Sequence, residues 1–267
     1  SSASFEVMIG NVFNYLFFDN KCTPVELAQI GQWSENNYYG KPCGLMDQTA
    51  CSVGNFIGID FKDPADPIVR KLDFDFEKSG HSVCVIDSGA NHAKLDDEYA
   101  AITSELRAVC KVFGKEYLRE VDEDEFYSRI ADVRTAAGDR AVLRAIHVFN
   151  ENKRVAMQSD ALEKGDFDTF LKLATESGLS SWRLLQNVII CGNSDHQEVA
   201  LALQLAWQFL GGRGAVRVNG GGFAGTILAF VPNDMIDDFK TKMESALGQG
   251  SCLILKINPQ GGTAEKC

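Results

Sequence analysis

No uninterrupted apolar stretch in this 267-residue sequence approaches the ~20 residues that a membrane-spanning helix needs. The longest, such as Ser82–Ile86 and Thr226–Val231, are far shorter, which argues against a membrane partner. The first residues, Ser1-Ser2-Ala3-Ser4, carry no basic segment followed by an apolar one, so no secretory signal is visible. Positive charge is also scarce: 26 Lys and Arg stand against 37 Asp and Glu, for a formal net charge of -11. A chain of that sign repels polyphosphate, and no basic stripe interleaved with aromatics offsets it, so nucleic acid is excluded as a partner. The eight cysteines form no C-x-x-C pair and have no histidine at zinc spacing. They read as free thiols of a reducing cytoplasm. His81, His92, His147 and His196 lie too far apart to make a local metal motif. Missing too are the G-x-x-x-x-G-K-[ST] loop and the H-R-D and D-F-G tripeptides, so a kinase here would be neither P-loop nor protein-kinase-like.

What is present is an ordinary globular composition, 45% hydrophobic and 24% charged, with length for roughly two domains at about 150 residues each. Phe5, Met8, Ile9, Val12, Phe13, Leu16 and Phe17 recur at helical spacing and predict a helix from about residue 2 with one apolar face. Thr23-Pro24-Val25-Glu26 reads as N-cap, N1 proline and capping-box glutamate of a second helix running toward Tyr38. A short helix around Met46–Val53 precedes strand-like patterns at 56–61 and at Leu72, Phe74 and Phe76. Ser82–Ile86 predicts a buried strand opening a new unit near Ser79-Gly80, followed by helix-rich sequence from about 96 to 209. The chain closes with strand 215–218, a glycine run, strand 226–231, helix 234–247 and strand 252–257, an α+β arrangement.

Four places could carry chemistry. Ser1 and Ser2 open an apolar helix, where unpaired N–H groups and the dipole favour phosphate and a hydroxyl can join a Mg²⁺ shell; a plain helix cap is the alternative. Glu35 falls at helical spacing from Leu27, Gly31 and Tyr38, on or beside the inward face, where a carboxylate needs a metal, base or water partner; the alternative leaves it in solvent. Asp47 sits in Pro42-Cys43-Gly44-Leu45-Met46-Asp47-Gln48, where an acid could orient a hydroxyl proton or, alternatively, cap a helix. Gly220–Gly225 matches G-x-G-x-x-G but connects strand to strand, so the dinucleotide reading fails and a glycine hairpin with close backbone approach remains.

Ser1–Val7, Gln32-Trp33-Ser34-Glu35-Asn36, Gly40–Gln48 and Arg217–Gly225, in this order and spacing, resemble the GHMP kinases and in particular their galactokinase branch. The Pro-Cys-Gly-Leu-Met-Asp-Gln block carries most of that resemblance, and Gly89–Tyr99 resembles the family's entrance to its second domain. The resemblance implies an α+β fold of two domains: residues 1–78 as the remainder of the N-terminal domain and residues 79–267 as a ferredoxin-like C-terminal domain. It also implies ATP and Mg²⁺ as cofactors and phosphoryl transfer to the C1 hydroxyl of galactose. Asp47 then looks like the base, Glu35 and Ser2 like metal ligands, Ser1, Ser2, Gly221 and Gly222 like nucleotide contacts, and Gly44, Asp47 and Tyr99 like sugar contacts.

The chain departs from the family pattern at several points. The family's N-terminal sugar signature, Gly-Arg-x-Asn-x-x-Gly-Glu-His-x-x-Tyr, and the Pro-x-Gly-x-Gly-Leu half of the phosphate loop do not occur. Glu176–Ser181 stands where Ser-His-x-Ser-Leu is usual, and Ala100-Ala101-Ile102 where basic residues are usual. These features imply a divergent bacterial branch and the C-terminal two-thirds of a cytoplasmic kinase, monomeric when intact and inactive as this piece. Another sugar, such as N-acetylgalactosamine or an L-sugar, and a non-catalytic sugar sensor are the alternatives. A piece of that kind is expected to expose an apolar patch.

Overall fold

The computed structural model describes residues 2–40, 43–63, 65–91 and 95–265. The chain divides into two compact units: Ser1–Phe74 together with Ile257–Cys267, and Asp75–Lys256. This differs at both ends from the expected division at 78/79 with the tail in the second domain. The tail's backbone explains why. Asn55 N donates to Asn258 O (2.8 Å) and Gly262 N to Cys51 O (3.1 Å), while the Lys71 ammonium donates to Pro259 O (3.0 Å).

The first unit contains α1 (Ser2–Phe17), α2 (Pro24–Trp33), α3 (Met46–Val53) and the antiparallel pair β1 (Ile57–Asp60) and β2 (Ile68–Lys71). The three helices pack on one another, with Val7, Leu27, Ala28 and Thr49 buried among them. Leu72–Phe74, expected as strand, lies beyond β2 without regular structure. The capping box at Thr23 forms as expected: Glu26 N donates to Thr23 Oγ1 (3.2 Å) and Thr23 N to Glu26 Oε2 (2.7 Å).

In α1 the buried positions are Ala3, Val7, Asn11 and Asn14. The large apolar residues that announced the helix point the other way: Phe5, Met8, Val12, Phe13, Leu16 and Phe17 are all exposed, Phe17 by 69%. The helix was legible from its period, but its packed side is the small and amide-bearing one. Asn14 replaces lost backbone partners there, accepting from Cys22 N (3.0 Å) and donating to Cys22 O (3.0 Å), which stitches the α1–α2 connection.

The second unit comprises β3 (His81–Asp87), α4 (Asp96–Val112), α5 (Glu123–Ser128), α6 (Ile130–Ala137), α7 (Asp139–Glu163), α8 (Phe167–Ser180), α9 (Glu198–Leu210), β4 (Ala215–Val218), β5 (Thr226–Pro232), α10 (Ile236–Leu247) and β6 (Cys252–Leu255). Its sheet is antiparallel throughout, in the order β4-β5-β3-β6. Counted within the unit, the strands lie 2-3-1-4, the ferredoxin-like order read from the other edge, with α4–α9 filling the first crossover. Cys84, Ile86, Leu203, Ile227, Phe239 and Met243 form the core around the sheet with α9 and α10. Phe76, Phe167, Phe170 and Phe230 form an aromatic cluster, with centroids 5.1–6.3 Å apart. No helix among the described residues is long and apolar enough to cross a membrane.

Candidate functional site

Two acids of the first unit meet at one amide. Gln48, 1% exposed on α3, directs Nε2 to Glu6 Oε2 of α1 (3.1 Å) and to Glu35 Oε2 (3.2 Å), and lies 3.5 Å from Cys43 Sγ. Glu35 is buried at 4% exposure, so the alternative of an edge residue in solvent does not hold. It is carried by a single π-helical turn, Ser34–Tyr38, which extends α2 and closes with Tyr39 N donating to Ser34 O (3.1 Å). Such turns re-aim side chains and recur at functional sites. Gly31 makes the approach of α1 possible, because a Cβ there would lie 3.3 Å from the Glu6 side chain and 3.5 Å from Gln48 Cγ. Burial first, and then a hydrogen bond to Glu35, push the Cys43 thiol above its ordinary value and keep it protonated at neutral pH.

The loop entering α3 is pinned from the preceding element. Asn36 acts as a backbone mimic, accepting from Cys43 N (2.6 Å) and donating to Cys43 O (3.2 Å), and Gln32 Nε2 donates to the same carbonyl (3.3 Å). The Gln32–Asn36 segment and the Cys43–Gln48 segment are thereby one structural piece. Asp47 sits in the first turn of α3, about 100° around the axis from Gln48. Its side chain is exposed and accepts no hydrogen bond among the described residues, and the N-cap position is Leu45, so Asp47 does not cap the helix. Gly44 is exposed in the pinned loop and Ser2 is exposed as the first residue of α1. Ser1 lies outside the described residues, as do Lys41-Pro42 and His92–Lys94 of the motifs.

In the second unit the expected sugar contact Tyr99 and the expected nucleotide contacts Gly221 and Gly222 meet each other. Gly220–Gly225 joins β4 to β5 as a hairpin, as the sequence indicated, with Val218 paired to Ile227. The Tyr99 hydroxyl donates to Gly222 O (2.8 Å), and its ring stands at 81° to Phe223 with centroids 5.4 Å apart. Burial, then the charge of Asp96, push the phenol upward, so it remains a donor. Tyr99 leaves no room for a side chain at Gly221, where a Cβ would lie 2.8 Å from the ring. The backbone N–H groups of Gly220 and Gly221 meet no acceptor among the described residues, while Gly222 closes the turn over them. Gly220 and Gly222 hold φ of +71° and +80°, a region that glycine adopts readily.

Sequence reasoning missed Glu6, Gln48 and Asn187 as functional neighbours. Glu6 lies in the quoted Ser1–Val7 motif and Gln48 adjoins Asp47, so both were within reach of a question about what accompanies a buried acid. Nothing local marks Asn187. No group of three or more His, Cys, Asp or Glu that could hold a metal ion by itself occurs among the described residues.

Residues 1–55 match the family model of the GHMP kinases N terminal domain. Galactokinase of Actinobacillus pleuropneumoniae is 30% identical over 243 residues, covering 90% of this chain and 59% of that protein. Galactokinase of Mannheimia succiniciproducens is 30% identical over 246 residues, with the same shares of 90% and 59%. Among solved structures, Lactococcus lactis galactokinase complexed with galactose superimposes with a TM-score of 0.74 at 23% identity, covering 98% of this chain and 66% of that one. L. major mevalonate kinase in complex with R-mevalonate gives 0.60 at 15%, with 98% and 66% covered. The fold is that of these structures, and the chain is similar in sequence to the N-terminal domain of the GHMP kinases over its first 55 residues and to galactokinases over 90% of its length. The chain spans 59% of the length of the galactokinases it matches.

Proposed function

We infer that this chain carries the acid centre and the glycine loop of an ATP-dependent sugar kinase that phosphorylates the C1 hydroxyl of galactose. The observation that supports this best is the pairing of opposites on one turn of α3: Gln48 is buried and holds Glu35, while Asp47 beside it is exposed and uncommitted. Phosphoryl transfer asks the protein chiefly for positioning and charge neutralisation, so one acid held for a metal and one left free for the acceptor hydroxyl are the parts required. Asp47 would accept or orient the C1 hydroxyl proton, with Gly44 leaving space for the sugar and Tyr99 touching it. Ser1, Ser2, Gly221 and Gly222 would meet the nucleotide phosphates through hydroxyl and backbone donors.

The residues present suit Mg²⁺. Glu6 and Glu35 offer hard carboxylate oxygens to the same amide nitrogen, and Gln48 Oε1 is a further buried oxygen with no protein partner among the described residues. Glu35, with the Ser2 hydroxyl, would hold the ion, whose chemistry when bound is to neutralise charge on the phosphate oxygens. Gln48 fixes the Glu35 carboxylate, and the pinned Cys43–Leu45 loop fixes the start of α3 and hence Asp47.

The test is Mg²⁺-dependent ADP release over a panel of galactose, N-acetylgalactosamine and L-sugars. It is run on this chain and on a chimera extended to the relatives' length, each beside Asp47→Asn. The expected result is no turnover by this chain and turnover with galactose by the chimera that falls at least a hundredfold in the variant, in line with the effect of removing a positioned acid or base. Turnover unchanged by Asp47→Asn removes the role of Asp47, preference for another panel sugar removes galactose, and sugar binding without ADP release supports a sensor instead.

A further inference from the structure

The geometry points to Asn187 as a positioning residue that sets the Gly220–Gly225 loop from the opposite side to Tyr99; this rests on the kinase reading of that loop. Asn187 follows a π-helical turn, Ser181–Leu185, that is stopped by Gln186 in the left-handed region at φ +58°. That reversal turns Asn187 inward, where it is 2% exposed. Its carbonyl accepts from Phe223 N (2.5 Å) and its Nδ2 donates to Gly221 O (3.0 Å). The next carbonyl along, Gly222 O, is taken by the Tyr99 hydroxyl (2.8 Å). Two successive loop carbonyls are therefore held by side chains from two separate segments, α4 and the segment after α8.

Three observations show that this grip dictates the loop's shape. A Cβ at Gly222 would collide with the Asn187 carbonyl and lie 2.7 Å from its Nδ2, so the loop can pass only as glycine. Phe223 is held at φ +58°, a conformation unfavourable for a side-chain-bearing residue, by its N–H bond to Asn187 and its ring contact with Tyr99. Asn187 Oδ1 is buried and has no partner among the described residues, because turning the amide to satisfy it would withdraw the donor from Gly221 O. A buried acceptor left unpaired in order to hold a loop carbonyl is the pattern of a site built for loop geometry at the expense of stability. The held carbonyls belong to the peptide units that carry the N–H groups of Gly222 and Phe223, so Asn187 and Tyr99 fix the course of the loop that a phosphate-bearing ligand would meet.

The experiment uses Asn187→Asp, which keeps the shape but replaces the donor with a carboxylate facing Gly221 O, and Asn187→Ala as the second variant. Amide hydrogen exchange is measured on the 267-residue chain, and ADP release on the chimera extended to the relatives' length. Exchange at Phe223 and Ala224 is expected to accelerate at least tenfold in both variants while β5 and α9 keep wild-type protection. On the chimera, kcat is expected to fall at least tenfold with the sugar KM within twofold. Unchanged exchange at Phe223 and Ala224 overturns the grip, and accelerated exchange with unchanged kcat overturns the positioning role. A wild-type chimera that releases no ADP sinks the kinase reading, and the exchange result still decides whether Asn187 holds the loop.

Discussion

Glu35 is the residue on which the first unit turns. A carboxylate 4% exposed needs its hydrogen bonds, and Gln48 Nε2 supplies one of them from another element. Replacing Gln48 with leucine keeps similar bulk but takes the donor from two carboxylates at once, so it should destabilise the fold by about 1–3 kcal/mol. Asp47→Asn, at an exposed position beside it, should change stability by no more than about 0.5 kcal/mol. Urea denaturation of the two variants checks this, and equal midpoints would show that Gln48 carries no such burden. Helical spacing placed Glu35 on or beside the inward face and left a carboxylate in solvent open, and its burial in the fold decides between the two. Its partner was not legible, since the Gln48 contact joins residues 13 apart through a π turn and a loop. Asn187 was hidden for a related reason: a left-handed glutamine aims it, and no propensity rule predicts that conformation for Gln186.

Among elements, α8 and β4 meet at a glycine. A Cβ added at Gly178 would lie 2.8 Å from Val216 O and 3.1 Å from Arg217 Cβ. Gly178→Ala should therefore force the helix from the sheet and destabilise by about 1–3 kcal/mol. Gly10 of α1 is the contrast: its Cβ would meet only Leu27 Cδ2 at 3.6 Å, so Gly10→Ala should stabilise by about 0.4–1 kcal/mol through helix propensity and a less flexible unfolded chain. Thermal melting of the two variants should move in opposite directions, and a shared direction would refute the packing argument. The α7–α8 region shows why close approach matters there. Ser177 and Arg154 both bond Glu151, Arg217 Nη1 lies 3.8 Å from it, and His147 Nδ1 lies 2.9 Å from Ser180 Oγ, while burial holds the imidazole below its ordinary value. The strands and helices of this unit follow their sequence patterns closely, since alternation and period 3.6 report local burial. The polar network does not, because its members lie on α7, α8 and β4 and only the fold assembles them.

For the molecule as a whole, the decisive surface is the outer side of α1. Phe5, Met8, Val12, Phe13, Leu16 and Phe17 are each more than two-fifths exposed, and the Phe13 and Phe17 rings lie tilted at 43° with centroids 5.9 Å apart. Contiguous apolar area of this kind drives association, since each large side chain removed from water contributes about 1.5–3 kcal/mol. The net charge of -11 opposes that attraction over the ~8 Å Debye length of physiological salt and less as salt is added. The 267-residue chain should therefore associate reversibly, more strongly with rising concentration and rising salt. Phe13→Ser with Phe17→Ser should shift it toward monomer without lowering its melting temperature, because neither ring is buried in the fold. Sedimentation velocity at low and high salt measures both. A wild type that stays monomeric at every concentration and salt would show that the α1 face is not sticky. A double variant that melts early would show that the rings support the fold after all.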